Sequence, residues 1–234
     1  MRTVIAVIRI TIFTIWSLFS IFFALFFCLI TLSKKPTVFF ARFMWAPVAL
    51  VIMGARIEVI GRENIKPDEP FVIMSNHCSY LDIPALMVAF PVYLYFIAKK
   101  ELKRMPFLGW FIMLAGMIFI DRKNTNAAKA SLAEAAKLVH NGKHVLIFPE
   151  GTASKTGEVQ LFKKGGFHLA QGAEAQIVPV HIKGTYHIWP SASKLNMRRG
   201  KITVIIGKPI PPEVCNRIEL DQRIEMVRQT IIGL

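Results

Sequence analysis

The stretch from Ile10 to Leu32 runs for 23 residues without a single charge and is crowded with Phe, Ile and Leu. As a helix rising 1.5 Å per residue it reaches about 35 Å, enough for a hydrocarbon core of about 30 Å. The run is too long for a signal-peptide core and no small-x-small cleavage pattern follows it, so it reads as a lasting membrane attachment. A second apolar stretch, Pro36 to Gly54, is interrupted by Arg42 and Pro47. Two arrangements fit these stretches. One is a spanning helix followed by an interfacial helix; the other is a pair of helices in one leaflet, with Lys34 and Lys35 at their turn. Arg2 and Arg9 precede the run much as Lys34 and Lys35 follow it, so charge asymmetry does not choose between them.

Of the 234 residues, 53% are hydrophobic and only 19% charged, which excludes a disordered binder. The average suits one compact domain with a membrane-embedded appendage. The formal net charge is +14, and the first 54 residues contribute five Lys or Arg and no Asp or Glu. Basic charge beside apolar surface fits a bilayer with anionic headgroups, where each Lys or Arg is worth roughly 1 kcal/mol. Zinc-finger spacing and an RNP-like aromatic string are both missing, so nucleic acid is not an expected partner. Cys28, Cys78 and Cys215 are far apart and show neither a disulfide framework nor metal-ligand spacing. His140, His144, His168, His181 and His187 also lack ligand spacing, so no metal is expected.

After Gly54 the texture changes. Short β-branched runs appear at Ile57–Ile60, Phe71–Ser75, Tyr95–Ala98, Met117–Asp121, His144–Phe148, Ile177–His181 and Ile202–Gly207. Helical patterns lie between them at Ser79–Phe90, Thr125–Asn141, Phe162–Gly172 and Glu213–Ile232. This alternation predicts an α/β fold: a largely parallel mixed sheet flanked by helices, with an N-terminal apolar helical membrane anchor. The expected division is 1–54 for the anchor and 55–234 for the α/β domain.

Three of these strands end in polar residues that a core does not request. Phe71–Ser75 runs into Asn76-His77-Cys78-Ser79-Tyr80-Leu81-Asp82, Met117–Ile120 into Asp121-Arg122, and His144–Phe148 into Pro149-Glu150-Gly151-Thr152. Ligands of open α/β sheets bind beyond the carboxyl ends of the strands, so a base, a cation and a carboxylate would converge there. On a continuous helix His77 and Asp82 point apart by roughly 140°. They meet only if His77 precedes the helix and the chain turns around Ser79, a candidate N-cap. Asp82 would then fix the imidazole tautomer and leave the other nitrogen free as general base; the competing reading is a capping box beside an incidental histidine. Cys78 beside His77 offers a covalent alternative, although adjacent residues rarely face each other. Arg122 offers a planar fork for phosphate, or else a structural pair with Asp121 or Glu150.

Asn76–Asp82 resembles the NHX4D motif of the glycerolipid acyltransferase family. Gly116–Arg122 resembles that family's second block, Phe148–Thr152 its third and Ile177–Val180 its fourth. The stretch Ala98–Leu102 with Pro106 and Gly109-Trp110, and Phe162–Gly165 after the third block, are also similar. The third block commonly continues with Arg, and here Ala153 stands in that place. The resemblance implies acyl transfer from an acyl thioester, acyl-CoA or acyl carrier protein, to a lysophospholipid acceptor, with no cofactor. It implies His77 and Asp82 as catalytic and Lys99, Arg122, Glu150, Gly151 and Thr152 as substrate-binding. Glu150 would orient Arg122 or bind a glycerol hydroxyl, Gly151 would let backbone amides approach the ligand, and Thr152 would cap a turn or donate to the acceptor. The implied acceptor is 1-acyl-glycerol-3-phosphate, with a lyso-ornithine lipid or another lysophospholipid as the alternative. The implied place is the inner membrane, catalytic domain on the cytoplasmic side. A non-catalytic lipid-binding scaffold and a lipid hydrolase are the rival classes.

Overall fold

The computed structural model describes residues 2–193 and 195–234; Met1, Lys194 and the side chain of Arg2 lie outside that description. Helix α1 (Arg2–Thr31) contains the uncharged run. The chain reverses at Leu32, whose φ is 49°, and returns as a continuous rod: α2 (Lys35–Phe39), a π-helical segment Phe40–Trp45, and α3 (Ala46–Ile52). The two apolar stretches therefore pair as a hairpin with Lys34 in its turn. Phe27 stacks on Phe40 at 5.7 Å, the Trp45 indole N–H donates to Ser17 Oγ at 2.9 Å, and the Trp16 indole donates to the Trp45 carbonyl at 3.4 Å. By length and composition both arms can cross a membrane. Arg9 donates to the Met53 carbonyl and closes the open end of the hairpin, while Arg42 donates to the Phe90 carbonyl and Phe13 meets the Trp189 ring edge-on, tying the hairpin to the rest of the chain.

Beyond the hairpin lies a seven-stranded sheet: β1 (Ala55–Ile60), β2 (Phe71–Ser75), β3 (Leu94–Lys99), β4 (Ile118–Ile120), β5 (His144–Ile147), β6 (Gln176–Lys183) and β7 (Gly200–Ile206). Their order is β1-β7-β6-β2-β5-β3-β4. Each pairing is parallel except β6 with β7. Every β-branched run in the sequence became a strand at its own place, and the sheet is largely parallel as expected.

Central strand β2 is buried throughout, as a strand covered on both faces must be. Its period of two divides the core. Phe71 and Ile73 join Leu50 and Met53 of the hairpin and Leu86 and Phe90 at helix α4 (Asp82–Ala89). Val72 and Met74 face α6 (Thr125–His140), α7 (Gly165–Gly172) and α10 (Leu220–Gly233), through Ala135, Val139, Phe167, Leu169, Val227 and Ile231. Helix α6 starts where the Asn124 side chain accepts the Asn126 and Ala127 N–H groups, and stops at Gly142 with φ 77°.

One helical expectation needs correction, and two helices were not expected. Glu213–Ile232 is not one helix but α9 (Pro212–Asn216) and α10, broken at Arg217–Glu219. Cys215 and Val227 both face the core, yet twelve residues of unbroken helix would set them about 120° apart, so the break restores the phase. Helices α5 (Leu108–Leu114) and α8 (Thr185–Ile188) have no counterpart in the sequence reading, because neither is long enough to show a periodicity.

Candidate active site

At the carboxyl end of β2 the ladder is continued by a side chain. Asn76 Nδ2 donates to the Ile182 carbonyl at 2.9 Å while its Oδ1 accepts the Ile182 N–H at 2.7 Å, so the amide replaces a backbone rung to β6 as the main chain turns out of the sheet. The next residue, His77, is held at both ends of its peptide: its N–H donates to Glu150 Oε1 at 2.7 Å and its carbonyl accepts the Ser154 N–H at 2.7 Å. Its ring lies flat on Phe148 at 4.1 Å.

Asp82 is fully buried and one oxygen, Oδ2, takes three donors: His77 Nδ1 at 2.7 Å, the Cys78 N–H at 2.8 Å and the Ser79 N–H at 2.9 Å. These N–H groups do for Oδ2 what water would do outside, while Oδ1 is buried with no hydrogen-bond partner among the described residues. With Nδ1 committed as donor, the tautomer leaves Nε2 as the acceptor, and it has no hydrogen-bond partner among the described residues. The His77 side chain keeps 23% of its surface exposed, whereas Asp82 keeps none. The required bend around Ser79 is present, but Ser79 is not the N-cap: α4 starts at Asp82, and the Ser79 hydroxyl donates to the Trp189 carbonyl while accepting the Leu81 N–H. A second loop thereby fixes the bend.

Glu150 is 3% exposed, and burial pushes its carboxyl up to about 7, partly offset by the N–H groups of His77 and Gln160. It does not orient Arg122. Its two oxygens serve backbone N–H groups, and one of them belongs to the candidate base. Arg122 instead donates through Nη1 to the Gly151 carbonyl, and Asp121 pairs with Lys100 at 3.0 Å, so neither acid forms the structural pair considered for the guanidinium. Gly151 has φ 76°, and its N–H is occupied by the Phe148 carbonyl in a turn. A Cβ there would stand 2.8 Å from Lys163 Nζ, which places an ammonium directly over the turn. Thr152 is exposed beside it, and Lys99 pairs loosely with Glu101 at 3.4 Å. Cys78 is no nucleophile: its buried thiol contacts Thr185, and burial with Asp82 nearby pushes it up to about 12.

The seven residues picked from the sequence therefore lie at or just beyond the carboxyl ends of β2, β5, β3 and β4, four adjacent parallel strands, with Lys99 the last residue of β3. Sequence reasoning gave no role to Phe148, Ser154 or Lys163. The first and last stood inside recognised blocks; Ser154 acts through its backbone and carries no side-chain signal.

Residues 56–183, more than half of the chain, match the family model described as Acyltransferase. The 1-acyl-sn-glycerol-3-phosphate acyltransferase of Saccharomyces cerevisiae is 38% identical over 189 residues, 79% of this chain and 61% of that protein. The alpha enzyme of the same name from Homo sapiens is 34% identical over 77% of this chain and 64% of its own length. The chain thus spans about three-fifths of the length of these curated relatives. A solved structure described as the 1-acyl-sn-glycerophosphate (LPA) acyltransferase PlsC from Thermotoga maritima matches with TM-score 0.82 and 27% identity, over 100% of this chain and 97% of that one.

Proposed function

This chain belongs to the acyltransferase family, and on that premise we propose that it acylates the sn-2 hydroxyl of 1-acyl-glycerol-3-phosphate to give phosphatidate, the acyl group coming from acyl-CoA or an acyl carrier protein thioester. One observation carries the reading: the Nδ1 contact to buried Asp82 leaves Nε2 bare at a sheet edge rich in cations.

An alcohol is a poor nucleophile at neutral pH, and a positioned base contributes typically 10²–10⁴ in rate. The acceptor hydroxyl gives its proton to Nε2 as its oxygen adds to the thioester carbonyl carbon. The tetrahedral adduct collapses, the C–S bond breaks, and the imidazolium returns the proton to the departing sulfur. Asp82 stabilises the imidazolium between these steps. Arg122 and Lys99 hold the acceptor phosphate, the Gly151 turn shapes the floor beneath it, and the Thr152 hydroxyl donates to the acceptor. Residues 1–54 anchor the enzyme in the inner membrane, and 55–234 form the catalytic domain on the cytoplasmic side.

The test offers the purified full chain one thioester with several lysolipid acceptors and identifies products by mass spectrometry, with His77→Ala alongside. The expected product is phosphatidate, lost in the variant while vesicle binding persists. Equal turnover of a lyso-ornithine lipid removes the choice of acceptor. Thioester hydrolysis that no lipid acceptor suppresses points to a hydrolase, and unchanged function in the variant to a scaffold.

A further inference from the structure

Between β3 and β4 the chain builds a platform that the catalytic reading does not use. A 3₁₀ turn, Lys100–Arg104, leads through Pro106 and Phe107 into α5. Phe107 has φ 59° and ψ −55°, and the Leu108 N–H donates to the Pro106 carbonyl at 2.6 Å. That is the rarer, strained kind of γ-turn, which a bulky residue adopts only when its surroundings impose it. Gly109 permits the close packing that follows it: a Cβ there would lie 2.4 Å from the Lys103 carbonyl oxygen, so only glycine lets α5 rest on the 3₁₀ turn.

The strained conformation presents apolar surface to solvent. Met105, Phe107, Trp110 and Met113 are between 38% and 51% exposed, and Phe107 meets Trp110 edge-on at 5.4 Å. Single exposed apolar residues are ordinary, but four within nine positions make a patch. Lys103 and Arg104 border it, both exposed and, among the described residues, without an acidic partner; nearby Glu101 is engaged by Lys99. Helix α5 also packs on α1, whose exposed side carries Ile8, Ile12 and Ile15. Aromatic rings bordered by free cations, continuous with an apolar helix, match an anionic lipid surface.

We propose that Lys100–Leu114 is a second membrane contact, outside the hairpin sequence but packed beside its first arm, which seats Phe107 and Trp110 in the headgroup layer and sets the height of the site edge above the lipid. The contact is interfacial, since α5 spans only seven residues and the cations stand within a turn of it. The inference rests on the reading that the hairpin sits in a bilayer.

An environment-sensitive fluorophore tests it, attached at Phe107→Cys in the full chain and, separately, at Phe39→Cys on the hairpin; Cys28, Cys78 and Cys215 are buried and resist the label. The chain is reconstituted in phosphatidylglycerol–phosphatidylcholine vesicles and probed with aqueous iodide. Both labels are expected to shift to the blue and lose most of their quenching. Lys103→Glu combined with Arg104→Glu should reverse the shift at position 107 and leave that at position 39. A water-like label at 107 beside a shifted one at 39 overturns the second contact but keeps the anchor. Water-like labels at both overturn both. A shift at 107 that follows protein concentration instead of lipid assigns the patch to a protein partner and also overturns the proposal. Met105→Cys repeats the measurement without touching the γ-turn.

Discussion

On the proposed mechanism Asp82 and His77 work as one device, and mutation should reveal that. Asp82→Asn keeps an oxygen for the backbone N–H groups of Cys78 and Ser79 but cannot stabilise an imidazolium. Turnover should fall at least about a hundredfold, and His77→Ala added to it should cost little more, because groups acting as a unit are not additive. Two independent losses that multiply would refute the coupling. Glu150 makes a different prediction. Its carboxyl is raised on folding from 4.5 to about 7, so the folded chain keeps a proton that the unfolded chain has released. Stability should therefore decline as pH climbs from about 4.5 to 7, by an amount on the order of 3 kcal/mol at about 1.4 kcal/mol per unit. Glu150→Gln keeps an acceptor for the His77 N–H and removes the titration. Its urea-unfolding stability should lack this decline, and parallel slopes for the two proteins would refute the assignment. The identities of these residues were legible in the sequence because each stands in a polar block after a β-branched run. The partner of Glu150 was not: it lies 73 positions away and meets Glu150 only because β2 and β5 are neighbours.

At the scale of elements, the strands were legible because their β-branched runs need no partner to be recognised, whereas helix ends depended on packing. The break between α9 and α10 follows from a shared core face that no local pattern announces. Two joints carry the site. The Asn76 amide closes the last rung between β2 and β6, and Asn76→Ala leaves the Ile182 N–H and carbonyl buried without partners. An unsatisfied buried group costs about 1–3 kcal/mol and a chain of this size loses about 2–4 °C per kcal/mol, so each group left unpaired should lower the melting temperature by roughly 2–12 °C, with turnover falling as His77 loses its fixed exit from the sheet. The turn at Gly151 behaves differently. Gly151→Ala meets both an unfavourable φ and the Lys163 side chain. Adding Lys163→Ala removes the collision but not the backbone cost, so calorimetry should show partial recovery for the double variant. Complete recovery would mean that the conformation at position 151 costs nothing.

The whole molecule joins an apolar hairpin to a sheet whose functional edge it borders, and the joint is made of core. Leu50 and Met53 are almost fully buried against Leu86 and Phe90, in the same cluster as the strand residues Phe71 and Ile73. Sequence division at Gly54 follows the change from apolar run to strand pattern, but composition does not show that α3 closes one face of the sheet. Fully burying each such side chain is worth about 1.5–3 kcal/mol, and a domain's net stability is only about 5–15 kcal/mol. Cutting the chain before Ala55 removes Ala46, Ala49, Leu50 and Met53 together and uncovers an apolar surface, so the remainder should aggregate even though it keeps every residue assigned to catalysis. A hairpin shortened only at its turn, around Lys34, should by contrast stay folded in detergent, because α3 and the Arg42 contact to Phe90 survive. Size-exclusion chromatography and near-ultraviolet circular dichroism distinguish the two truncations. A monodisperse, active chain starting at Ala55 would show that the hairpin is a detachable appendage; its failure beside an intact short-hairpin variant would show that the hairpin completes the core behind His77.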